Sequence, residues 1–118
     1  MENKPVTYRI KHVGINNPNE EEARRSAALL CALFGLEETL ETPAAIFAGD
    51  IFEVMKHDRL GRCGHVAMQT EDVEAAMAQL AARGVAFDEK TIRRDENGKI
   101  KFIYLRDEYC GFRFHLTT

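Results

Sequence analysis

The chain has no tryptophan, only three prolines and three cysteines, and no apolar stretch longer than Ala27–Phe34. Each shortage excludes something. A membrane-spanning helix needs about 20 consecutive apolar residues, so no segment qualifies. Three cysteines, Cys31, Cys63 and Cys110, form no CxxC pair and leave an odd thiol. That argues against both a disulfide scaffold and a zinc knuckle. Lys and Arg number 16 against 19 acidic residues, giving a net charge of −3 and a pI of about 5.8. The basic residues are scattered and interleave with no aromatic stripe, so a nucleic-acid partner is not expected. The first residues, Met1 to Pro5, carry no apolar signal region, and a cytoplasmic location is the expectation. What is present is ordinary for a globular protein: 45% hydrophobic and 30% charged residues in 118, room for one domain over 1–118.

Within that length the sequence repeats. His12-Val13-Gly14-Ile15-Asn16 leads into an acidic helix and then Gly35-Leu36; His65-Val66-Ala67-Met68-Gln69 leads into a second acidic helix and then Gly84-Val85. A period of ~50 residues with this internal variety fits a duplicated module better than a solenoid. In the first helix Asn17 is the expected N-cap, Pro18 the first helical residue and Gly35 the terminator. Its apolar stripe is Ala23, Ala27, Leu30, Cys31 and Phe34, and Glu20–Glu22 complement the helix dipole. In the second helix Thr70 is the expected cap, Gly84 the stop, and Val73, Ala76, Met77 and Leu80 the stripe. Strands are expected at 8–16, 36–41, 44–49, 51–57, 63–70, 85–91, 99–106 and 111–117. Asn97-Gly98 marks a tight hairpin, and Gly61-Arg62 the junction between halves. The fold class that follows is α+β: two tandem β-α-β-β-β modules, about 8–57 and 63–117, forming half-barrel sheets around a shared cavity.

Strand alternation then sorts side chains by face. Val13 and Ile15, Val66 and Met68, Phe52 and Val54, and Phe112, Phe114 and Leu116 are assigned to the helix side. His12, Glu53, His65 and His115 fall on the opposite face, one on the first and one on the last strand of each half. A carboxylate set between apolar neighbours is costly unless it is paired or metal-bound. Three imidazoles and one carboxylate suit Zn, Ni, Co, Mn or Fe(II) rather than a thiolate-selected metal. The plainer reading, a metal-free scaffold whose histidines only hydrogen-bond, stays open at this point.

Other residues share the ligand face. Arg113 has two readings: its planar fork grips a substrate carboxylate or phosphate, or it makes a local salt bridge. His57 lies four residues beyond Glu53, as a substrate-side group or a rim histidine. Asn16, Gln69 and Tyr104 are the remaining candidates for lining the cavity. Cys31 and Cys63 read as packed thiols.

Lys11-His12-Val13-Gly14-Ile15, Ile51–Met55, Gly64-His65-Val66-Ala67 and Gly111-Phe112-Arg113-Phe114-His115-Leu116, in that order and spacing, resemble the vicinal oxygen chelate superfamily of glyoxalases, bleomycin-resistance proteins and dioxygenases. The resemblance runs over about 8–117. It implies one divalent metal per site, held by His12, Glu53, His65 and His115. His115 departs from the glutamate usual in the glyoxalase and epimerase members, which removes a carboxylate often assigned as base. Asn16-Asn17-Pro18 stand where glutathione-handling members carry an Arg. Phe47-Ala48-Gly49, Phe87-Asp88-Glu89 and Ile103-Tyr104-Leu105 add a likeness to the glyoxalase-like module associated with keto-deoxy-phosphogluconate aldolases.

Two functions follow as expectations. One is a divalent-metal-dependent lyase or isomerase acting on a small 2-oxo or sugar-acid type substrate through an enediolate, with Glu53 as ligand and proton carrier. The other is a non-catalytic small-molecule-binding or sequestration module linked to such an aldolase. The resemblance further implies a homodimer, and it leaves open whether each site forms within one chain or across two.

Overall fold

The computed structural model describes residues 5–118; the expectation drawn from the first residues falls mostly outside them. The elements run β1 (Arg9–Ile15), α1 (Glu20–Phe34), β2 (Glu38–Glu41), β3 (Ala45–Ala48), β4 (Phe52–Met55), β5 (Gly64–Gln69), α2 (Val73–Ala82), β6 (Phe87–Arg94), β7 (Ile100–Tyr109) and β8 (Phe112–Thr117). This is β-α-β-β-β twice. The strands form a single sheet in the order β2-β3-β4-β1-β5-β8-β7-β6. Each module's first strand pairs parallel with its own last strand, and the two first strands, β1 and β5, pair antiparallel with each other. The halves therefore join within one chain. Among the described residues no helix is long and apolar enough to cross a membrane.

Both helices lie over the same side of the sheet, each above its own half. α1 buries Ala23 and Ala27 against Ile46, Ala48 and Val54, with Leu30, Cys31 and Phe52 packed at the margin. α2 buries Val73 and Ala76 against Ile103, Leu105 and Leu116. Small residues on the helices let them approach the sheet closely. Burying a β-branched side chain such as Val54 or Ile103 contributes about 1.5–3 kcal/mol. The apolar stripe of α1 stops short of expectation: Phe34, on the last turn, is 65% exposed, where the helix runs out toward the edge strand β2.

The helix caps differ from the sequence expectation for one reason in each half. Asn17 does not cap α1. It is buried and donates from Nδ2 to the carbonyls of Ile15 (3.1 Å) and Met55 (3.0 Å), while its Oδ1 accepts from Ser26. Tied to the ends of β1 and β4 in this way, it leaves capping to Asn19, whose Oδ1 accepts from the Glu22 amide at 2.9 Å. Thr70 likewise continues the β5–β8 ladder through its amide to Thr117 O (2.8 Å), and Asp72 caps α2. The strands β6 and β7 are longer than expected, ending at Arg94 and Tyr109 rather than 91 and 106. The Asp95–Gly98 turn joins them as its sequence predicts.

Under α1 an ion-pair network closes the first module. The Lys56 ammonium is buried and lies 2.8 Å from Glu41 Oε2 and 3.5 Å from Glu20 Oε1; Arg24 grips Glu41 at 2.6 Å. The hydrogen bond from Arg24, then that from Lys56, holds the Glu41 carboxyl down at about 2. A depressed carboxyl contributes stability that is present above its unfolded value and lost as the pH falls through its folded one. Chemical denaturation across pH should therefore show the parent losing stability between about pH 4.5 and pH 2. Glu41→Gln should lack that component and be less stable at neutral pH, because Lys56 keeps only its longer contact with Glu20. An unchanged acid limb would remove Glu41 from the account.

Candidate metal centre

The site grows out of the register at the middle of the sheet. Gly14 on β1 lies between Glu53 on β4 and His65 on β5; one step along, Ala67 on β5 lies between His12 on β1 and His115 on β8. Neighbouring strands are about 4.8 Å apart, so side chains that flank a third strand start roughly twice that distance apart. They meet only if the residue between them is small. Gly14 and Ala67 provide that gap. A Cβ built on Gly14 would stand 2.1 Å from the His65 Cε1 and 2.2 Å from its Nδ1, so the His65 ring occupies the space a side chain would take.

Over these two small residues the four candidates converge. His65 Nε2 lies 2.9 Å from Glu53 Oε1, His12 Nε2 lies 3.5 Å from the same oxygen, and the two Nε2 atoms are 3.3 Å apart. His115 completes the group: one ring nitrogen from each histidine falls within 4.8 Å of the others. Donors bound at about 2.0–2.1 Å to one ion stand roughly 3.0–3.4 Å apart, depending on whether they are octahedral or tetrahedral. The Nε2, Nε2 and Oε1 triangle, with edges of 2.9, 3.3 and 3.5 Å, lies close to that range. A further sign is the His115 Nδ1, which is buried and has no hydrogen-bond partner. Leaving a buried polar atom unpaired costs about 1–3 kcal/mol. The donor set thus fits a divalent ion of the first transition row.

Electrostatics favour the deprotonated, donor-ready forms. Burial, reinforced by the neighbouring His65 and His12, pushes the His115 imidazole down to about 3. Burial also lowers His12, against the opposing pull of Glu53. Burial alone would raise the Glu53 carboxyl, but the hydrogen bond from His65 and the charges of all three histidines outweigh it and hold Glu53 below its ordinary value. Burial and the Glu53 charge raise Tyr104, keeping its hydroxyl protonated.

The cluster forms one wall of an open cavity of about 360 Å³ on the sheet face opposite the helices. Of the residues expected beside it, Tyr104 lines it, with its ring 4.9 Å from that of His115. The others do not. Arg113 turns toward β7 and donates from Nε and Nη2 to Leu105 O (3.2 and 3.0 Å), lying over the Tyr104 ring and 3.8 Å from Asp88. Its fork is spent locally. Asn16 donates to Gly61 O at 3.0 Å and fastens the junction between modules. Gln69 borders a separate hollow with Arg9 and Glu71. His57 is exposed beyond the end of β4 and outside the cavity lining. Cys63 is exposed rather than packed.

Sequence reasoning missed Gly14 as a determinant of the site, though its place between two candidate ligand strands was a readable signal. It also missed the basic side chains Lys11, Arg59 and Arg93 and the aromatic Phe102, all in the lining. Arg93 lies beyond the strand expected at 85–91, and a bulge between Asp88 and Arg93 resets the alternation besides.

Fold and site together define a glyoxalase-like class of protein with a candidate metal centre. The chain belongs to the Glyoxalase/Bleomycin resistance protein/Dioxygenase superfamily, whose family model matches residues 9–116. Similar solved structures include a variant of the Streptomyces coelicolor methylmalonyl-CoA epimerase in complex with 2-nitronate-propionyl-CoA. It has a TM-score of 0.62 and 22% identity, with 93% of this chain and 96% of that chain covered. A methylmalonyl-CoA epimerase in complex with methylmalonyl-CoA and ammonium matches with the same TM-score and identity, over 93% of each chain. At this identity they speak for the fold. No curated protein is similar enough to this chain to count as a match.

Gly14→Ala isolates the packing argument. The added methyl must displace the His65 ring, so affinity for added Zn(II) or Ni(II) should fall at least tenfold. The circular dichroism spectrum should keep its helix and strand content. Unchanged metal affinity would show that His65 does not need the gap.

Proposed function

We propose that this protein is a divalent-metal-dependent lyase or isomerase of the glyoxalase type, acting on a small 2-oxo or sugar-acid substrate through an enediolate. The observation that carries this reading is the convergence of His12, Glu53, His65 and His115 at the wall of one cavity. A bound Zn, Ni, Co, Mn or Fe(II) ion would supply Lewis acidity toward adjacent substrate oxygens.

The chain's own residues would do the rest. His12 and His115 are held toward the neutral imidazole, and His65 sets its Nε2 2.9 Å from Glu53. Glu53, held below its ordinary value and so ionised at neutral pH, would take the proton from a carbon next to a carbonyl. Tyr104, held protonated, can donate to a substrate oxygen from the wall beside His115. The ring of Phe102 lies 4.4 Å from that of His115 and presents an apolar surface beside it. The absence of a carboxylate at position 115 leaves Glu53 as the single acidic group of the cluster, so proton transfer falls to it.

A second reading is favoured by that same single carboxylate: a binding or sequestration module without turnover, serving a keto-deoxy-phosphogluconate aldolase. The two separate in one measurement. Metal-loaded protein is incubated in deuterated water with 2-oxo acids and sugar acids, and solvent exchange at the carbon beside the carbonyl is followed by NMR. Catalysis predicts exchange that Glu53→Gln lowers by about 100-fold or more, within the range general bases supply. Binding without exchange supports the module. Protein that takes up no metal sinks the enzymatic reading.

The homodimer is also part of the proposal. Leu29, Leu33, Phe34 and Leu40 are all more than half exposed and are the apolar side chains such a contact would cover. Light scattering at working concentration should give twice the mass of 13.4 kDa. Because the four candidate ligands lie in one chain, metal binding should persist in a monomeric variant.

A further inference from the structure

The cavity is positively charged although the chain is acidic. Its charged lining comprises Lys11, Arg59 and Arg93 against Glu53 alone. Among the described residues no carboxylate lies within ion-pair distance of Arg59 or Arg93, so both guanidinium groups keep their charge uncompensated at the cavity.

Arg93 is also built into place. Phe87 and Ile92 both pack into the core beneath α2, although an odd spacing should put them on opposite faces. The bulge that allows this is held by Asp88 and Thr91. Thr91 Oγ1 donates to Asp88 O at 2.7 Å and accepts from the Tyr104 amide at 2.9 Å. The consequence is that Arg93 faces the cavity. Its guanidinium lies 4.5 Å over the Phe102 ring, which itself lies 4.4 Å from the His115 ring. Stacking on an aromatic face fixes a guanidinium's plane and leaves its N–H edge free to donate. Phe102 thus touches both the guanidinium and the histidine cluster.

We infer that Arg93, assisted by Arg59, is an anion subsite that grips a carboxylate or phosphate group on the substrate while another part of the same molecule lies against the His12–Glu53–His65–His115 cluster. Arg113 does not take that role. The inference rests on the proposed metal-site function for the identity of the neighbouring subsite, not for its own residues. A cavity of about 360 Å³ is near the low end for ligand sites and fits a short-chain acid or phosphate ester. Arg59 and Lys11 add attraction; Lys11 is partly engaged with Thr118 O at 3.2 Å.

The test is calorimetric titration of the protein as purified, and again after chelator treatment, with pyruvate, inorganic phosphate and uncharged hydroxyacetone. The variants are R93Q, R59Q, R113Q and, as a remote control, R25Q, with metal content and melting temperature measured for each. The expected result is that R93Q weakens the preferred anion about tenfold or more, R59Q weakens it less, and R25Q has no effect. Metal content and hydroxyacetone binding should stay at the parent level in all three. Tighter pyruvate assigns the subsite to a carboxylate, tighter phosphate to a phosphate ester. No anion binding by the parent, equal affinity in R93Q, or a larger loss in R113Q than in R93Q overturns the inference. Anion binding that depends on Arg93 in a protein without metal would leave the inference standing while the metal reading falls. Full metal content with no dependence on Arg93 would do the reverse.

Discussion

The antiparallel pairing of β1 with β5 is the constraint on which everything else in this molecule depends. It sets Gly14 opposite His65 and Ala67 opposite His12. The parallel pairs on either side then bring in Glu53 and His115. Slipping that register by one residue would turn His12 or His65 toward the helices and scatter the cluster. Two modules that each bury one face under their own helix thereby share their other face, and the shared face holds the site.

The same pairing accounts for the tension at the site. Three imidazoles and a carboxylate are brought together in a half-buried place where their nearest partners are one another. Burial drives His115 and His12 toward the neutral form while the histidines hold Glu53 ionised. A buried His115 nitrogen is left without a partner. Such an arrangement is poor as a stabilising core and well suited to receive a cation. The stability that offsets it comes from the two helix-covered cores and from networks such as Lys56, Glu41 and Arg24 on the far face.

How much was readable in advance follows from how local each signal is. Period-two alternation placed His12, Glu53, His65 and His115 on one face, because each strand's alternation is a property of its own few residues. Asn17 and Thr70 were misread as caps for the opposite reason. Their side-chain types suit a cap, but Met55 O and Thr117 O, distant in sequence, claim them instead. Arg113 has the right face and the wrong direction, since the carbonyl of Leu105 on the neighbouring strand captures its fork. Arg93 was lost beyond the expected strand end and past a bulge that no alternation rule anticipates.

The sequence by itself determined the duplication, the strand and helix types, the face on which the four candidate ligands lie and the membership in a superfamily of metal-binding modules. These rest on hydrophobic period and residue chemistry, which short segments carry independently. Only the tertiary structure decided that one chain assembles the whole cluster, that a missing Cβ at Gly14 makes room for His65, and that Arg93 and Arg59 rather than Arg113 face the cavity. Those facts depend on which strands are neighbours and where their ladders slip, and pairing across half the chain leaves no mark in local sequence.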